Sequence, residues 1–275
     1  MFCIQNKMRK TKSVYKPIVP AVEQASQVLL CLGDGGKFEK KLTQICAEVG
    51  IHKSKAYTIL NTLSKYGFVQ KDTYLKTYSL GPGLIMLSRY LLDNLKYMKV
   101  VSPLLESLAR ETNATAFFGA LSGESVYVVD KHEGNQNIGF TLQIGHRFHF
   151  TLGSHGKCIV AFMPLERRKI LLERKKLYFY GDPAAVDLER LQCELNDCRH
   201  KGYSVDTGEV TPGVNNVSAP VFGPTEKIIG CIVLIGTFSG PAIEEYGRKT
   251  AYTGREISYR LGANLKNIYG NGNQK

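Results

Sequence analysis

Apolar positions set the first elements. Between Val19 and Leu32 they fall at Val22, Ala25, Val28, Leu29 and Leu32, the spacing of a core-facing helix, and Gly33-Asp34-Gly35-Gly36 ends it. Leu42, Ile45, Cys46 and Val49 share one side of a short helix over Leu42–Val49, with Thr43 in its first turn. Gly50 follows, suited to the left-handed backbone of a tight turn between helices. Ile51, Ala56, Ile59, Leu60 and Leu63 form the inner face of a third helix from Lys53 to about Tyr66. Gly67 closes it, and Phe68–Lys71 and Lys76–Leu80 read as two short strands around Asp72–Leu75. Short helix, turn, longer helix and hairpin in that order predict a winged helix-turn-helix, which lays its second helix in the DNA major groove.

Further along, the pattern changes. Leu84–Met98 reads as a connecting helix and Val101–Glu111 as an amphipathic one. Ala114–Leu121 and Val126–His132 read as a strand pair around Ser122-Gly123-Glu124, and Ile138–Ile144 as a weakly alternating strand. A helix over Lys157–Met163 follows Gly153-Ser154-His155-Gly156, and Asp187–Lys201 is a helix with Asp187 as its N-cap. Val217–Phe222 and Ile228–Gly236 are strands, the second nearly all apolar and therefore expected to be buried on both faces. Glu244–Ile268 reads as a closing helix. The sum is an α+β chain, with one sheet flanked by helices after the winged helix.

Charge sharpens this picture. Residues 1–98 hold 15 Lys and Arg against 6 Asp and Glu, a net of +9, while residues 99–275 hold 21 against 18, a net of +3. A positive field concentrated on the helix-turn-helix suits a polyanion. On the third helix the polar positions cluster in the N-terminal half, the end a recognition helix presents to the groove. Tyr57, Thr58 and Asn61 are placed for base edges, and Lys53, Ser54 and Lys55 for phosphates; Lys71 and Lys76 are expected near the wing tip, also on phosphates. Residues 1–17 read as a basic, flexible arm.

Other chemistry is disfavoured. Gly36-Lys37 and Gly156-Lys157 lack both the preceding glycine and the following Ser or Thr of a phosphate-binding loop. Ser154, His155 and Asp206 suggest a hydrolase triad, but adjacent Ser and His cannot easily face one another and no G-x-S-x-G exists. His146, His149 and His155 invite a metal, yet strand positions three apart point to opposite faces. No cofactor is expected. The seven cysteines form no CxxC pair, and most lie in apolar segments, which favours a reducing cytosol. The longest apolar run, around Ile228–Phe238, is too short to span a bilayer.

Here the motifs converge on a family. The phrase L-T-x-I-x-x-x-V-G-I-x-K-S-x-A-Y-x-I-L-x-T-L-x-x-x-G-F-V from Leu42, followed by Y-S-L-G-P-G-L at Tyr78–Leu84, resembles the IclR family of bacterial transcriptional regulators. So do G-S-H-G-K-C-I-V-A-F from Gly153, R-x-x-G-Y at Arg199–Tyr203 followed by Asp206, Glu209 and Pro212-Gly213-Val214, and the A-P-V-F and I-I-G-C-I-V-L-I-G strands. The resemblance covers about residues 20–265. It departs at Lys55, where the family usually has Thr, and at Thr58, where it usually has Arg; both bear on which operator is read.

The resemblance implies a winged helix at 18–82, a linker helix at 83–99, a GAF-like effector-binding domain at 100–268 and a flexible tail at 269–275. It implies a cavity for a small organic acid, a carboxylate held by the free N–H groups of Ser154 and His155 at a helix start. Asp206, Val214 and Asn216 would line the loop side, and Phe140 and Leu142 the neighbouring strand. Val233 and Ile235 fall where many relatives place serine hydroxyls, so the ligand is expected to have a ring or alkyl body, unless these two side chains merely close the cavity. The expected function is a cytoplasmic, ligand-responsive regulator on double-stranded operator DNA, acting as a homodimer or dimer of dimers with no membrane contact. Two alternatives are an architectural DNA binder and an enzyme with a winged-helix dimerisation domain.

Overall fold

The structure is a computed structural model, and it describes residues 18–33, 38–94, 97–134 and 142–270. The chain divides into two compact units, Met1–Leu95 and Lys96–Lys275.

In the first unit, α1 (Pro20–Gly33), α2 (Leu42–Val49) and α3 (Lys53–Lys65) pack around Val28, Leu32, Ile45, Ile59, Leu60 and Leu63. The turn between α2 and α3 is made by Gly50 at φ 72, as its position predicts. Strands β2 (Val69–Asp72) and β3 (Thr77–Leu80) form the wing, and their Val69 and Tyr78 complete the core. A third strand, β1 (Lys40–Lys41), was not visible in the sequence pattern. It pairs antiparallel with β3, Lys40 opposite Tyr78, giving the order β1-β3-β2. Lys40 is buried and bonded to the Glu48 carboxylate, so it is no part of the cationic surface.

The first unit closes through glycines. Gly81 N–H donates to the Phe68 carbonyl at 2.8 Å, and Gly83 N–H to the Gly67 carbonyl at 2.9 Å. A Cβ on Gly81 would lie 2.3 Å from the Gly67 oxygen, so the end of the wing crosses the end of α3 backbone against backbone. The Y-S-L-G-P-G-L phrase is thus a packing requirement. Helix α4 (Gly83–Asn94) starts there, leaving Ile85, Met86 and Leu87 exposed.

The second unit has a six-stranded antiparallel sheet in the order β6-β5-β4-β9-β8-β7. Its strands are β4 (Thr115–Ser122), β5 (Ser125–Glu133), β6 (Arg147–His149), β7 (Ser204–Thr207), β8 (Asn215–Phe222) and β9 (Ile228–Gly236). Alternation along β9 divides the core in two. Ile232 and Leu234 pack with Val101, Leu105 and Leu108 of α5 (Met98–Thr112) and Ile257 of α9 (Pro241–Arg260). Cys231 and Val233 pack with α6 (Gly153–Ala161), α7 (Leu165–Leu172) and α8 (Leu188–Lys201) on the other face. Helix α8 begins as predicted: the Asp187 carboxylate accepts the N–H groups of Glu189 and Arg190 at 2.9 and 3.1 Å.

Three expectations are corrected. Of the strand expected over Ile138–Ile144, residues 138–141 lie outside the described residues, and 142–144 form no strand; the edge strand is Arg147–His149 instead. Helix α6 starts at Gly153, four residues early, because Gly-Ser-His-Gly packs against the sheet as helix; it ends at Ala161. The closing helix stops at Arg260, turns at Gly262 and resumes as α10 (Leu265–Tyr269). The arm at 1–17 and residues 271–275 of the tail lie outside the described residues.

The glycine crossing yields a prediction. Gly81→Ala forces backbone apart in a packed core and is expected to cost the first unit about 1–3 kcal/mol. Urea unfolding followed by tyrosine fluorescence measures this; an unchanged midpoint would contradict the crossing.

Candidate functional site

Helix α3 carries an exposed polar face. Lys53, Ser54, Lys55, Tyr57, Thr58 and Asn61 are all exposed, while Ala56, Ile59, Leu60 and Leu63 point inward. His52 precedes the helix without a side-chain cap, so the first-turn N–H groups remain open toward solvent, as an anion site requires. The Thr58 hydroxyl donates to the Ser54 carbonyl at 3.0 Å, which leaves its lone pairs as acceptors. Thr43 is exposed in the first turn of α2. Lys76 sits at the wing turn, but Lys71 does not. Lys71 lies in β2 opposite Tyr78, its ammonium 5.8 Å from the Tyr57 ring centre and 5.7 Å from that of Tyr78. It joins the recognition helix to the wing root by cation–π contact.

In the second unit, sheet register gathers most of the effector candidates. Asp206 pairs with Asn216 and Asn216 with Ile235; Ser204 pairs with Ser218 and Ser218 with Val233. These two rows share the face that carries α6. Three hydroxyls connect them to the helix: Ser154 Oγ lies 2.7 Å from Ser218 Oγ, and Ser204 Oγ donates to the Ser154 carbonyl at 2.6 Å. Asp206 is buried. Its Oδ1 accepts the N–H groups of Glu209 and Val210 at 2.8 and 3.4 Å, and its Oδ2 the Asn216 amide at 3.2 Å. Burial raises its pKa above the usual carboxylate range, with these donors working the other way. Asp206 Oδ2 lies beside Gly153, at the positive end of the α6 dipole.

Among the described residues, two amides at the start of α6 have no acceptor. Gly153 N–H donates to the Tyr178 carbonyl and Gly156 N–H to the Leu152 carbonyl. Ser154 and His155, between them, have no intrahelical acceptor at their positions. The His155 ring is buried, and Nε2 lies 3.1 Å from the His149 carbonyl, so the proton sits on Nε2. Burial lowers its pKa to about 4, so the ring is neutral and offers no charge to an anion. Leu142 is buried in the same core as Val233, Ile235 is half-buried against that core, and Val214 is half-buried. Phe140 lies outside the described residues. Ser154, His155, Asp206 and Val233 are each less than a tenth exposed.

The comparisons with known proteins fit both units. The profile of the bacterial transcriptional regulator IclR C-terminal region matches residues 90–258, more than half the chain. That of the IclR helix-turn-helix domain matches residues 21–73.

The chain belongs to the IclR family of bacterial transcriptional regulators.

Among its relatives is the HTH-type transcriptional regulator XynR of Escherichia coli K12, 26% identical over 218 residues, covering 79% of this chain and 86% of XynR. An IclR transcriptional regulator from Alicyclobacillus acidocaldarius shares the fold at a TM-score of 0.76 and 26% identity, covering 90% of this chain and all of that one. An IclR homologue from Microbacterium hydrocarbonoxydans, solved in complex with 4-hydroxybenzoate, superposes at a TM-score of 0.71 and 15% identity, covering 89% of this chain and all of that one. This IclR-family chain is therefore a ligand-responsive transcriptional regulator with a helix-turn-helix for DNA and a C-terminal effector domain, not an enzyme.

Several residues around the effector side escape sequence reasoning. Lys157, only 1% exposed, reaches Glu194 Oε2 at 2.9 Å, Glu209 Oε2 at 3.1 Å and the Val205 carbonyl at 3.2 Å, with the Tyr180 ring 4.5 Å away. Arg190 stacks on the same ring and bonds both carboxylates. The only sequence signal was a lysine set inside an otherwise apolar helix. Ser204 and Ser218 carried none, because their neighbours across the sheet are fixed only by register. A cleft of about 540 Å³ lies elsewhere, lined by Lys201, Arg248, Arg255, Tyr252 and Tyr259, and includes none of the candidates. Its cations Lys201 and Arg248 are paired with Asp197 and Glu244, so the α6 end is the better-founded site. No three His, Cys, Asp or Glu among the described residues could hold a metal ion.

The buried imidazole gives a signed prediction. In the unfolded chain His155 titrates near its ordinary 6.5, and in the folded chain near 4. Between these values the unfolded chain binds more protons, so the stability is fully present above about pH 6.5 and is lost as pH falls toward 4, by on the order of 3 kcal/mol. His149 shifts in the same direction, so the wild-type slope has two sources. Denaturant midpoints between pH 7 and 5 should therefore fall more steeply in the wild type than in His155→Gln. Equal slopes would contradict a buried neutral ring.

Proposed function

We propose that this regulator recognises its operator through Thr43, Lys53, Ser54, Lys55, Tyr57, Thr58 and Asn61, with Lys76 on a phosphate and Lys71 holding Tyr57, and that it responds to a small organic acid bound beside α6. The observation that carries the effector reading is the pair of unclaimed N–H groups at Ser154 and His155, next to Asp206 and Asn216. Backbone N–H groups at a helix start suit a carboxylate. The carboxylate of Asp206 opposes a second negative charge there and the neutral His155 supplies no cation for one, which favours a mono-acid carrying a donor group for Asp206. Leu142, Val214, Val233 and Ile235 supply an apolar wall for a ring or alkyl body. The 4-hydroxybenzoate in the Microbacterium homologue is an acid of this description, and so supports the reading.

The working form is a homodimer, or a pair of dimers, in the cytoplasm. A single recognition helix spans too few base pairs for specificity. Two helices of the first unit leave apolar side chains exposed for a second copy: Val22 and Leu30 on α1, and Ile85, Met86 and Leu87 on α4. The domains follow as winged helix 18–82, linker 83–99 and effector domain 100–268. Ligand shifts the arrangement of the two winged helices only by its differential affinity for the two states.

A thermal-shift screen of aliphatic and aromatic mono-acids tests the effector reading. An acid held at about 100 times its dissociation constant adds about 2.7 kcal/mol to stability. The gain should vanish in Asp206→Ala and shrink in Ile235→Ser. A panel without a single stabilising acid would contradict the organic-acid reading.

A further inference from the structure

The wing turn presents two apolar side chains to solvent. Tyr74 is 91% exposed and Leu75 53% exposed, at the tip of a hairpin whose other side chains, apart from Leu80 at its far end, are polar or packed inward. The tip is not slack. Asp72 Oδ1 accepts the N–H groups of Tyr74 and Leu75, both at 2.8 Å, and Lys76 closes the turn in the left-handed region at φ 54. A turn fixed this firmly holds Tyr74 out in one direction. Its direction relative to α3 is set at the wing root, where Lys71 bridges Tyr57 of α3 and Tyr78 of β3. The exposed face of α3 and the wing root therefore lie on one side of the unit, with the tip extending beyond them. Cations lie on that same side: Lys76 at the tip, Lys71 at the wing root, and Lys53 and Lys55 on α3, all exposed.

An apolar projection on the cationic side of the unit fits one polyanion geometry closely. A helix in the major groove brings its wing to the adjoining minor groove. There, architectural proteins insert apolar side chains between base steps and partly unstack them. An aromatic face gains stacking energy with any base, while the flanking lysines hold phosphates. We propose that the wing of this regulator is a minor-groove wedge, with Tyr74 stacked against a base step beside the site read by α3 and Leu75 packed against the sugar edge. This adds a specificity element: the flanking step must be one that unstacks easily, such as a pyrimidine–purine step. The inference rests on the docking of α3 in the major groove.

The test uses the full chain and a duplex selected by the wild type from a random-sequence pool, with 2-aminopurine placed in turn at the steps flanking the selected core. Wild type should bind the selected duplex and raise 2-aminopurine fluorescence at one flanking step. Tyr74→Ala should lose about tenfold in affinity and the fluorescence rise, with an unchanged salt slope, while Tyr74→Phe keeps both. Equal melting temperatures for the three proteins confirm that folding is intact. Tyr74→Ala binding like wild type, with the fluorescence rise intact, would overturn the wedge and leave α3 docking standing. A loss of dimer in Tyr74→Ala by sedimentation, with no fluorescence rise in any variant, would assign the tip to a second copy instead. If wild type selects no duplex at all, the docking of α3 and the wedge fall together.

Discussion

The effector unit depends on one buried ammonium. Lys157 lies in α6, a nine-residue helix buried along its whole length. A lone charge there would be expelled; two carboxylates, a carbonyl and an aromatic face hold it in place. Those partners come from α8, from β7, from the chain between β7 and β8 and, through Tyr180, from the chain between α7 and α8, so one cation fixes four separate segments against α6. Removing a partner from a buried ionic network of this kind costs roughly 3–5 kcal/mol, because the remaining charges stay desolvated. Glu209 is the key link. Its side chain anchors to Lys157 and Arg190, and its N–H donates to Asp206. The carboxylate that faces the candidate ligand site and the network that stiffens it are therefore tied by one residue.

The DNA-reading unit answers to a different constraint. Its core is small, and its geometry comes from backbone approach at Gly81 and Gly83 and from the sharp turn at Gly50. Its surface then separates two kinds of charge. Lys40 is buried and paired with Glu48, serving the fold. Lys53, Lys55, Lys71 and Lys76 remain exposed and form a cationic side. Lys40 and Glu48 cancel, so the internal pair leaves the +9 excess of residues 1–98 intact for the surface.

Much of this was legible before any coordinates. Periodicity located α1, α2, α3 and α8, and the capping role of Asp187, because each rests on local spacing and local hydrogen bonds. Strand β9 declared itself by an unbroken apolar run that the two-faced core requires. What escaped was fixed by distant partners. Strand β1 is two residues long and exists only through pairing with β3. The first turn of α6 carries two glycines and a serine, a local preference for loop that burial against the sheet overrides. Lys71 read as a tip residue because its distance from the turn was judged along the sequence; the rings of Tyr57 and Tyr78 hold it at the root. Among the candidate site residues, those at 154, 155, 206 and 216 follow from the family resemblance, whereas the serine ladder depends on sheet register and the Lys157 network on contacts between distant segments.

The central claim is that this chain reads DNA sequence through an oriented helix and is not merely attracted to phosphate. The most direct measurement is the affinity of the full chain, at physiological salt, for a duplex selected from genomic fragments and for the same duplex scrambled. A sequence-reading helix gives a preference of about a thousandfold or more for the selected sequence. Equal affinities, falling together as salt is raised, would contradict it and make the chain a nonspecific binder.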